Sequence, residues 1–382
     1  MTPVSIYIHW PFCLSLCPYC DFNSHLSNEI NHDSWLAAYK KEIDYFADKI
    51  KGRVIKSIFF GGGTPSLMKP RTVYEIIQKL ATLAEISTFT EITLEANPTS
   101  YETEKFREFK AAGINRVSIG VQSFKQKGLE ILGRKHSAKE AISAIKSASN
   151  LFDRYSFDLI YAIPEQNLAQ WQQEVEFALS LAGGHISLYQ LTIEKGTPFY
   201  QLFKSGKLSL PSNDLAATMY EWTSNYLQEQ KYKRYEISNY AVQGQECVHN
   251  LCYWNYNEYI GIGPGAHSRL HETNSIKAVM MIHKPEKWLQ SVAENGHGIQ
   301  SNVSLAKQEI IEEVFMMGTR LELGISEKKF YQITKNKFLD SLNFKTIEHY
   351  MQQGLVDIQN GYLALTDRGL MLHNYLVPRM LL

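Results

Sequence analysis

Between residues 4 and 190, short apolar runs alternate with amphipathic stretches. Strand candidates are residues 4–9, 54–60, 91–95, 116–121, 155–161 and 185–191. Helical patterns lie between them, over residues 34–50, 72–84, 102–112, 138–150 and 170–182. Each strand is short and nearly all apolar, as expected where both faces of a sheet are covered. Repeated strand–helix units imply right-handed parallel crossovers. The pattern predicts an α/β fold, a partial six-stranded TIM-like (β/α)6 barrel, with a doubly wound open sheet as the alternative. In either, chemistry collects past the C-terminal ends of the strands.

The first strand runs into Cys13-Leu14-Ser15-Leu16-Cys17-Pro18-Tyr19-Cys20, three thiols at Cys-x3-Cys-x2-Cys spacing. Pro11 and Pro18 keep this segment out of regular helix. Clustered thiolates are soft ligands for zinc or an iron–sulfur cluster. Zinc would need a fourth ligand, for which His9 or His25 is available. An iron–sulfur cubane held by three cysteines leaves one iron open, and unliganded core cysteines are a third reading. With five cysteines in 382 residues and no signal peptide, a disulfide is disfavoured. A reducing, cytoplasmic location is expected.

The run Tyr7-Ile8-His9-Trp10-Pro11-Phe12-Cys13-x3-Cys17-Pro18-Tyr19-Cys20-Asp21-Phe22 resembles the signature of radical S-adenosylmethionine (radical SAM) proteins. More narrowly, it resembles the branch that holds oxygen-independent coproporphyrinogen dehydrogenase and the HemW heme chaperones. The resemblance implies that Cys13, Cys17 and Cys20 hold a 4Fe-4S cluster. It also implies that SAM chelates the open iron and that reductive cleavage of SAM can yield a 5′-deoxyadenosyl radical. The cofactor carries such chemistry and the protein positions it.

Polar and glycine residues mark several strand ends. Gly61-Gly62-Gly63-Thr64-Pro65 follows the second strand. By itself this is a tight turn or a close backbone approach to a ligand. Glu95 and Asp158 are carboxylates within apolar runs, where an unpaired charge is costly. Capping or ion pairing would account for Glu95. The resemblance instead counts Tyr7, Tyr19, Gly62, Gly63, Thr64, Glu95, Gln122, Arg134 and Asp158 as cofactor-binding. In that reading Arg134 clamps the SAM carboxylate. His136 is expected at a helix start or on the surface. Ala162 stands where the family usually has glycine.

Residues 213–228 form an amphipathic helix pattern, and residues 259–268 are too rich in glycine and proline for helix, predicting a loop wall. Between them lies His249-Asn250-x2-Tyr253-Trp254. Read alone, it is a surface turn with a satisfied histidine. A neutral imidazole can also ligate heme iron, and Tyr or Trp can pack on a porphyrin. The resemblance favours heme, because this motif is associated with heme binding in HemW proteins, with His249 as the candidate ligand. Cys247 and Cys252 are alternative iron ligands or ordinary small apolar residues.

The last residues pattern as helices over 307–320, 326–334 and 339–353. A hairpin follows around Asn360-Gly361, and Thr366 caps a final helix. This predicts a winged-helix-like unit. The expected organisation is a barrel over 1–200, a flanking segment with the heme motif over 201–300 and the C-terminal unit over 301–382.

Lys plus Arg and Asp plus Glu are 39 each, which gives no electrostatic footprint for nucleic acid. A lid or partner-docking role is therefore expected of the C-terminal unit. No apolar run reaches the ~20 residues of a membrane helix, so peripheral contact is the only membrane contact expected. The 22 tyrosines suit a flat apolar ligand.

Within the branch, the dehydrogenase carries a further cysteine two residues past the third, where this chain has Phe22. It also has a longer N-terminal extension. Both differences favour a heme chaperone, with a hemoprotein such as a respiratory cytochrome as the expected recipient and with cluster and SAM serving structure, homodimer formation or release. Porphyrinogen oxidation by a deoxyadenosyl radical is the second reading. A winged-helix binding module on a degenerate barrel is the third.

Overall fold

The structure is a computed structural model and describes residues 3–27, 29–273 and 275–382. Strand β1 (Pro3–Trp10) sets the pattern. Ile6, Ile8 and Trp10 are fully buried, and Trp10 meets Trp35 and Tyr39 of the helix His32–Tyr45. Tyr7 and His9 alternate with them and line a cavity on the opposite side. Strands β2 (Val54–Gly62), β3 (Glu91–Ala96), β4 (Arg116–Gln122), β5 (Arg154–Tyr161) and β6 (His185–Gln190) follow as parallel neighbours in chain order.

The expectation of nearly all-apolar strands holds on one face only. Ile92, Leu94, Val117, Ile119, Phe157, Leu159, Ile186 and Leu188 pack into the helix-side core. The alternate positions place Glu91, Glu95, Arg116, Ser118, Gln122, Ser156, Asp158, His185 and Ser187 along the concave side. Period-two alternation thus separates an apolar outer layer from a polar interior. The helices outside are capped from the sequence. Ser137 and Glu140 close the start of Ala138–Leu151, and Asn167 and Gln170 that of Leu168–Leu179. The helix expected over residues 102–112 is split into Ser100–Thr103 and Phe106–Ala111. Here Glu102 is buried and accepts hydrogen bonds from Ser66 and the Asn97 amide.

The six strands do not close on themselves. Beyond β6 lie β7 (Lys233–Glu236) and β8 (Asn239–Ala241), with β8 antiparallel to β6. Beside β1 lies β9 (Tyr259–Ile262), which is parallel to it. Next come β10 (His267–His271), β11 (Ile276–Met281) and β12 (Ile299–Ser304), all antiparallel. Among the described residues this makes one twelve-stranded sheet.

The predicted loop wall over 259–268 is therefore corrected to two strands and a turn. Its glycines serve close packing. A Cβ on Gly261 would lie 2.2 Å from the His267 carbonyl oxygen, and Gly263 and Gly265 turn the chain at φ +106° and +75°. Buried Glu42 fixes this turn by accepting from the Gly263 amide at 2.8 Å, the Gly298 amide at 2.7 Å and Trp288 Nε1 at 3.0 Å.

The helix Val248–Trp254 fills the concave side near the N-terminal ends of the strands. Beyond residue 304, the helices Lys307–Gly318, Glu327–Thr334 and Phe344–Gln352 surround a small sheet of β13 (Ile325–Ser326), β14 (Val356–Gln359) and β15 (Tyr362–Leu365). Val314, Phe315, Phe330, Ile347 and Leu363 give this unit its own core. Asn360 and Gly361 turn the hairpin with positive φ, and the Thr366 hydroxyl accepts from the Gly369 amide.

Candidate functional site

The loop past β1 carries the three thiols to the mouth of the concave side. Cys13, Cys17 and Cys20 are partly buried and line one cavity of about 350 Å³. Tyr19, Gly62, Gly63, Thr64, Glu95, Gln122, Arg134 and Asp158 line the same cavity. The structure thus brings together eleven of the thirteen residues singled out for clusters and cofactors. Tyr7 and His249 lie elsewhere.

A hydrogen-bonded chain joins two of the thiols. Thr64 donates to Cys13 Sγ at 3.3 Å, and Asn97 Nδ2 donates to Thr64 Oγ1 at 3.1 Å. Arg134 Nη2 bonds Asn97 Oδ1 and the Gly120 carbonyl, while Nη1 reaches Cys17 Sγ at 3.3 Å. Asn97 was not singled out from sequence. Its signal is a polar residue between a strand end and Pro98. Burial pushes the Cys13 thiol up to about 11, partly offset by Thr64, and pushes Cys20 up as well. Among the described residues, no three His, Cys, Asp or Glu side chains converge on a single metal ion. The thiols instead line one wall of the cavity, a disposition suited to a multi-iron cluster in which each thiolate meets a different iron.

The glycine run has a local reason. At Gly62, φ is +112° and a Cβ would lie 2.6 Å from the His9 ring. At Gly63 a Cβ would lie 2.8 Å from the Phe12 carbonyl oxygen. These glycines let β2 close against the thiol loop, and the Gly62 amide donates to Glu95 at 3.1 Å. Gly133 serves likewise, because its Cβ would meet the Pro18 ring at 2.5 Å.

Glu95 and Asp158 enter the cavity from β3 and β5. Burial, with Asp158 nearby, pushes Glu95 up to about 8. Burial pushes Asp158 up to about 6, against hydrogen bonding from Ser187 and the charges of Arg116 and Arg134. Gln122 has φ +70°, and its buried Oε1 has no hydrogen-bond partner among the described residues. Two costly carboxylates and an orphaned acceptor beside a guanidinium form a donor set suited to a cationic ligand that also bears a carboxylate.

His136 directly precedes the cap residue Ser137, the helix-start placement of its two expected ones, and it is buried, with Nε2 meeting the Val121 carbonyl at 3.0 Å. One expectation is corrected here. His249 is not on a surface turn. Its ring is fully enclosed, stacks on Phe59 at 5.0 Å, and bonds Ser57 Oγ at 2.8 Å and Tyr253 Oη at 2.9 Å through its two nitrogens. Burial drives it down to about 3. No nitrogen of His249 is free for iron in this arrangement. Cys247 and Cys252 are also buried, and Cys247 Sγ contacts Glu91 at 3.4 Å. Their plain reading as small core residues fits. Tyr7 and Tyr253 line a second cavity, which adjoins the first through Phe22, Gly62 and Glu95.

Residues 7–178 match the radical SAM superfamily, and residues 305–372 match the HemN C-terminal domain. The chain is 33% identical to heme chaperone HemW of Bacillus subtilis over 97% of both chains. It is 34% identical to HemW of Escherichia coli, over 100% of this chain and 99% of that one. It is also 37% identical to the mitochondrial radical S-adenosyl methionine domain-containing protein 1 of Danio rerio, over 96% of this chain and 82% of the relative. In fold it is similar to coproporphyrinogen III oxidase HemN of Escherichia coli, with TM-score 0.82, 20% identity and coverage of 99% and 90%.

Proposed function

This chain belongs to the HemW family within the radical SAM superfamily, and we propose that it binds heme beside a 4Fe-4S cluster and SAM and delivers that heme to a hemoprotein. The observation that carries this reading is the similarity to two bacterial heme chaperones along nearly the whole of both chains. The site supports it from the residues upward. Cys13, Cys17 and Cys20 are the cluster ligands. Glu95 and Asp158 face the positive charges of SAM, Arg134 takes its carboxylate, and Gln122 Oε1 accepts from its polar edge. Gly62, Gly63 and Thr64 form the wall against which it lies, and Tyr19 flanks the cluster side. When bound, the cluster supplies an electron and an open iron site. The protein's part is to hold the thiols, exclude water behind Asn97 and Arg134, and keep the carboxylates ready for a cation.

Phe22, exposed at the shared rim, stands where the dehydrogenase branch carries its extra cysteine. It supports delivery over porphyrinogen oxidation. Five free thiols support a reducing compartment. Among the described residues, no helix is long and apolar enough to cross a membrane. The test mixes heme-loaded, cluster-reconstituted protein with an apo-hemoprotein under anaerobic conditions and follows the recipient's spectrum. Transfer without conversion of coproporphyrinogen III supports the chaperone. Turnover of coproporphyrinogen III without transfer would replace it with the oxidase.

A further inference from the structure

The second cavity, of about 340 Å³, has aromatic walls built by Tyr7, Phe22, Tyr253 and Tyr259, the last two edge-to-face at 4.6 Å. It opens beside the cysteine cavity. Several imidazoles stand near it, and most are committed. His9 is buried, with Nδ1 on the Tyr7 hydroxyl at 3.0 Å and Nε2 on the Asn23 carbonyl at 2.9 Å. His25 Nε2 meets Asn23 Oδ1 at 2.9 Å. His249 is enclosed as described. His267 and His283 differ. Both line the cavity and are exposed, and among the described residues neither ring is engaged in a hydrogen bond.

The backbone that carries this pair is rigid. His267 opens β10, opposite Met280 of β11, and His283 follows β11 by two residues. The turn between them and the thiol loop is stapled by Asn23, whose Nδ2 donates to the Pro264 carbonyl at 2.9 Å and the His283 carbonyl at 3.0 Å. Gly265 permits that approach, since a Cβ there would lie 2.3 Å from Asn23 Nδ2. The imidazoles are thus held at the rim by the same loop that carries the cysteines.

Their number and setting indicate the ligand. Two imidazoles do not complete a site for a bare transition-metal ion, and no third ligand converges with them among the described residues. Heme iron brings four nitrogens of its own and asks only one or two axial ligands of the protein. The aromatic walls suit its macrocycle. We propose that the heme iron is ligated by the His267–His283 pair at this second cavity, and not by His249. The inference rests on the heme-binding reading above and adds the ligand and the place. Heme there would lie beside the cluster and SAM, with Glu95 and Gly62 forming part of the wall between the two cavities.

The test is anaerobic heme titration of the full reconstituted chain, read by Soret position and Kd. Three proteins are compared: the unsubstituted chain, the double variant H267A/H283A and the single variant His249→Gln. Circular dichroism and iron content confirm that each is folded and loaded. The inference expects the double variant to bind at least tenfold more weakly, with its Soret band moved toward that of unligated heme. His249→Gln is expected to keep the unsubstituted Soret band while melting at a lower temperature. An unchanged Kd and Soret band in the double variant would overturn the assignment and leave the chaperone reading standing. Absence of heme binding by the unsubstituted chain would overturn both.

Discussion

Arg134 reaches Cys17, with Nη1 3.3 Å from Sγ. The same guanidinium bonds the Gly120 carbonyl and Asn97, so a fixed cation stands where the cysteine loop meets the ends of β3 and β4. Arg134→Met is expected to keep the cluster, since all three thiols remain. SAM binding should weaken about 10- to 100-fold, the loss of a charge-assisted pair worth about 1.5–3 kcal/mol. Iron analysis with SAM calorimetry checks both halves. Unchanged SAM affinity would remove Arg134 from the site.

Glu95 and Asp158 make SAM binding depend on pH. A cation binds the ionised carboxylates, so affinity should rise from pH 6 and level off above about 8, where Glu95 has lost its proton. The stability of the ligand-free protein runs the other way. The folded state holds a proton that the unfolded chain releases near pH 4.5. The Glu95 contribution is therefore full below that pH and lost as pH rises through about 8. Glu95→Gln should flatten both profiles. Proton release on SAM binding, measured in two buffers of different ionisation enthalpy, checks the sign.

Each of Cys13→Ala, Cys17→Ala and Cys20→Ala should abolish the broad visible absorption of thiolate-bound iron and lower the bound iron and sulfide. Cys247→Ala and Cys252→Ala should not, because both thiols are buried away from the cavity. Loss of iron in the second pair alone would contradict the assignment.

Buried neutral histidines should make the fold acid-sensitive. His9 and His136 are held down to about 4 and His249 to about 3, each chiefly by burial. Unfolding lets them charge near pH 6.5. Their contribution is full above that pH and lost progressively as pH falls toward 4 and 3. His249→Ala should cost about 2–4 kcal/mol, since it removes a partner from Ser57, which keeps its bond to Ser5, and from Tyr253, and empties a stacked site. Its melting curve should also respond less to acid.

Ala162 sits at φ +56°, a conformation that costs a residue with a Cβ about 1 kcal/mol. Ala162→Gly should raise the melting temperature with heme and SAM affinities unchanged. A fall in stability would mean that the methyl contact in the core outweighs the backbone strain.

The strand–helix order was legible because short apolar runs alternating with amphipathic stretches are local signals; the period-two alternation that makes the concave side polar was not read. Strands β1 to β6 followed from those runs, while the placement of Cys13, Gly62, Glu95, Arg134 and Asp158 in one site rested on the motif resemblance. What was not legible depended on distant partners. Residues 259–268 read as loop because their glycines and proline are too dense for helix, but the glycines allow tight pairing of β9 with β10 under Glu42. His249 read as exposed because nothing nearby in the chain encloses it; Phe59 and Ser57, on β2, do. His267 and His283 carry no spacing signal at all. They meet only because β10 and β11 pair and Asn23 staples the turn to the thiol loop.

The most direct measurement is stoichiometric heme binding by the anaerobically reconstituted protein, followed in the Soret band. The account predicts saturation at one heme per chain with micromolar or tighter affinity and a spectrum distinct from free heme. A linear, unsaturated titration with the spectrum of free heme would contradict it and return the protein to porphyrinogen chemistry.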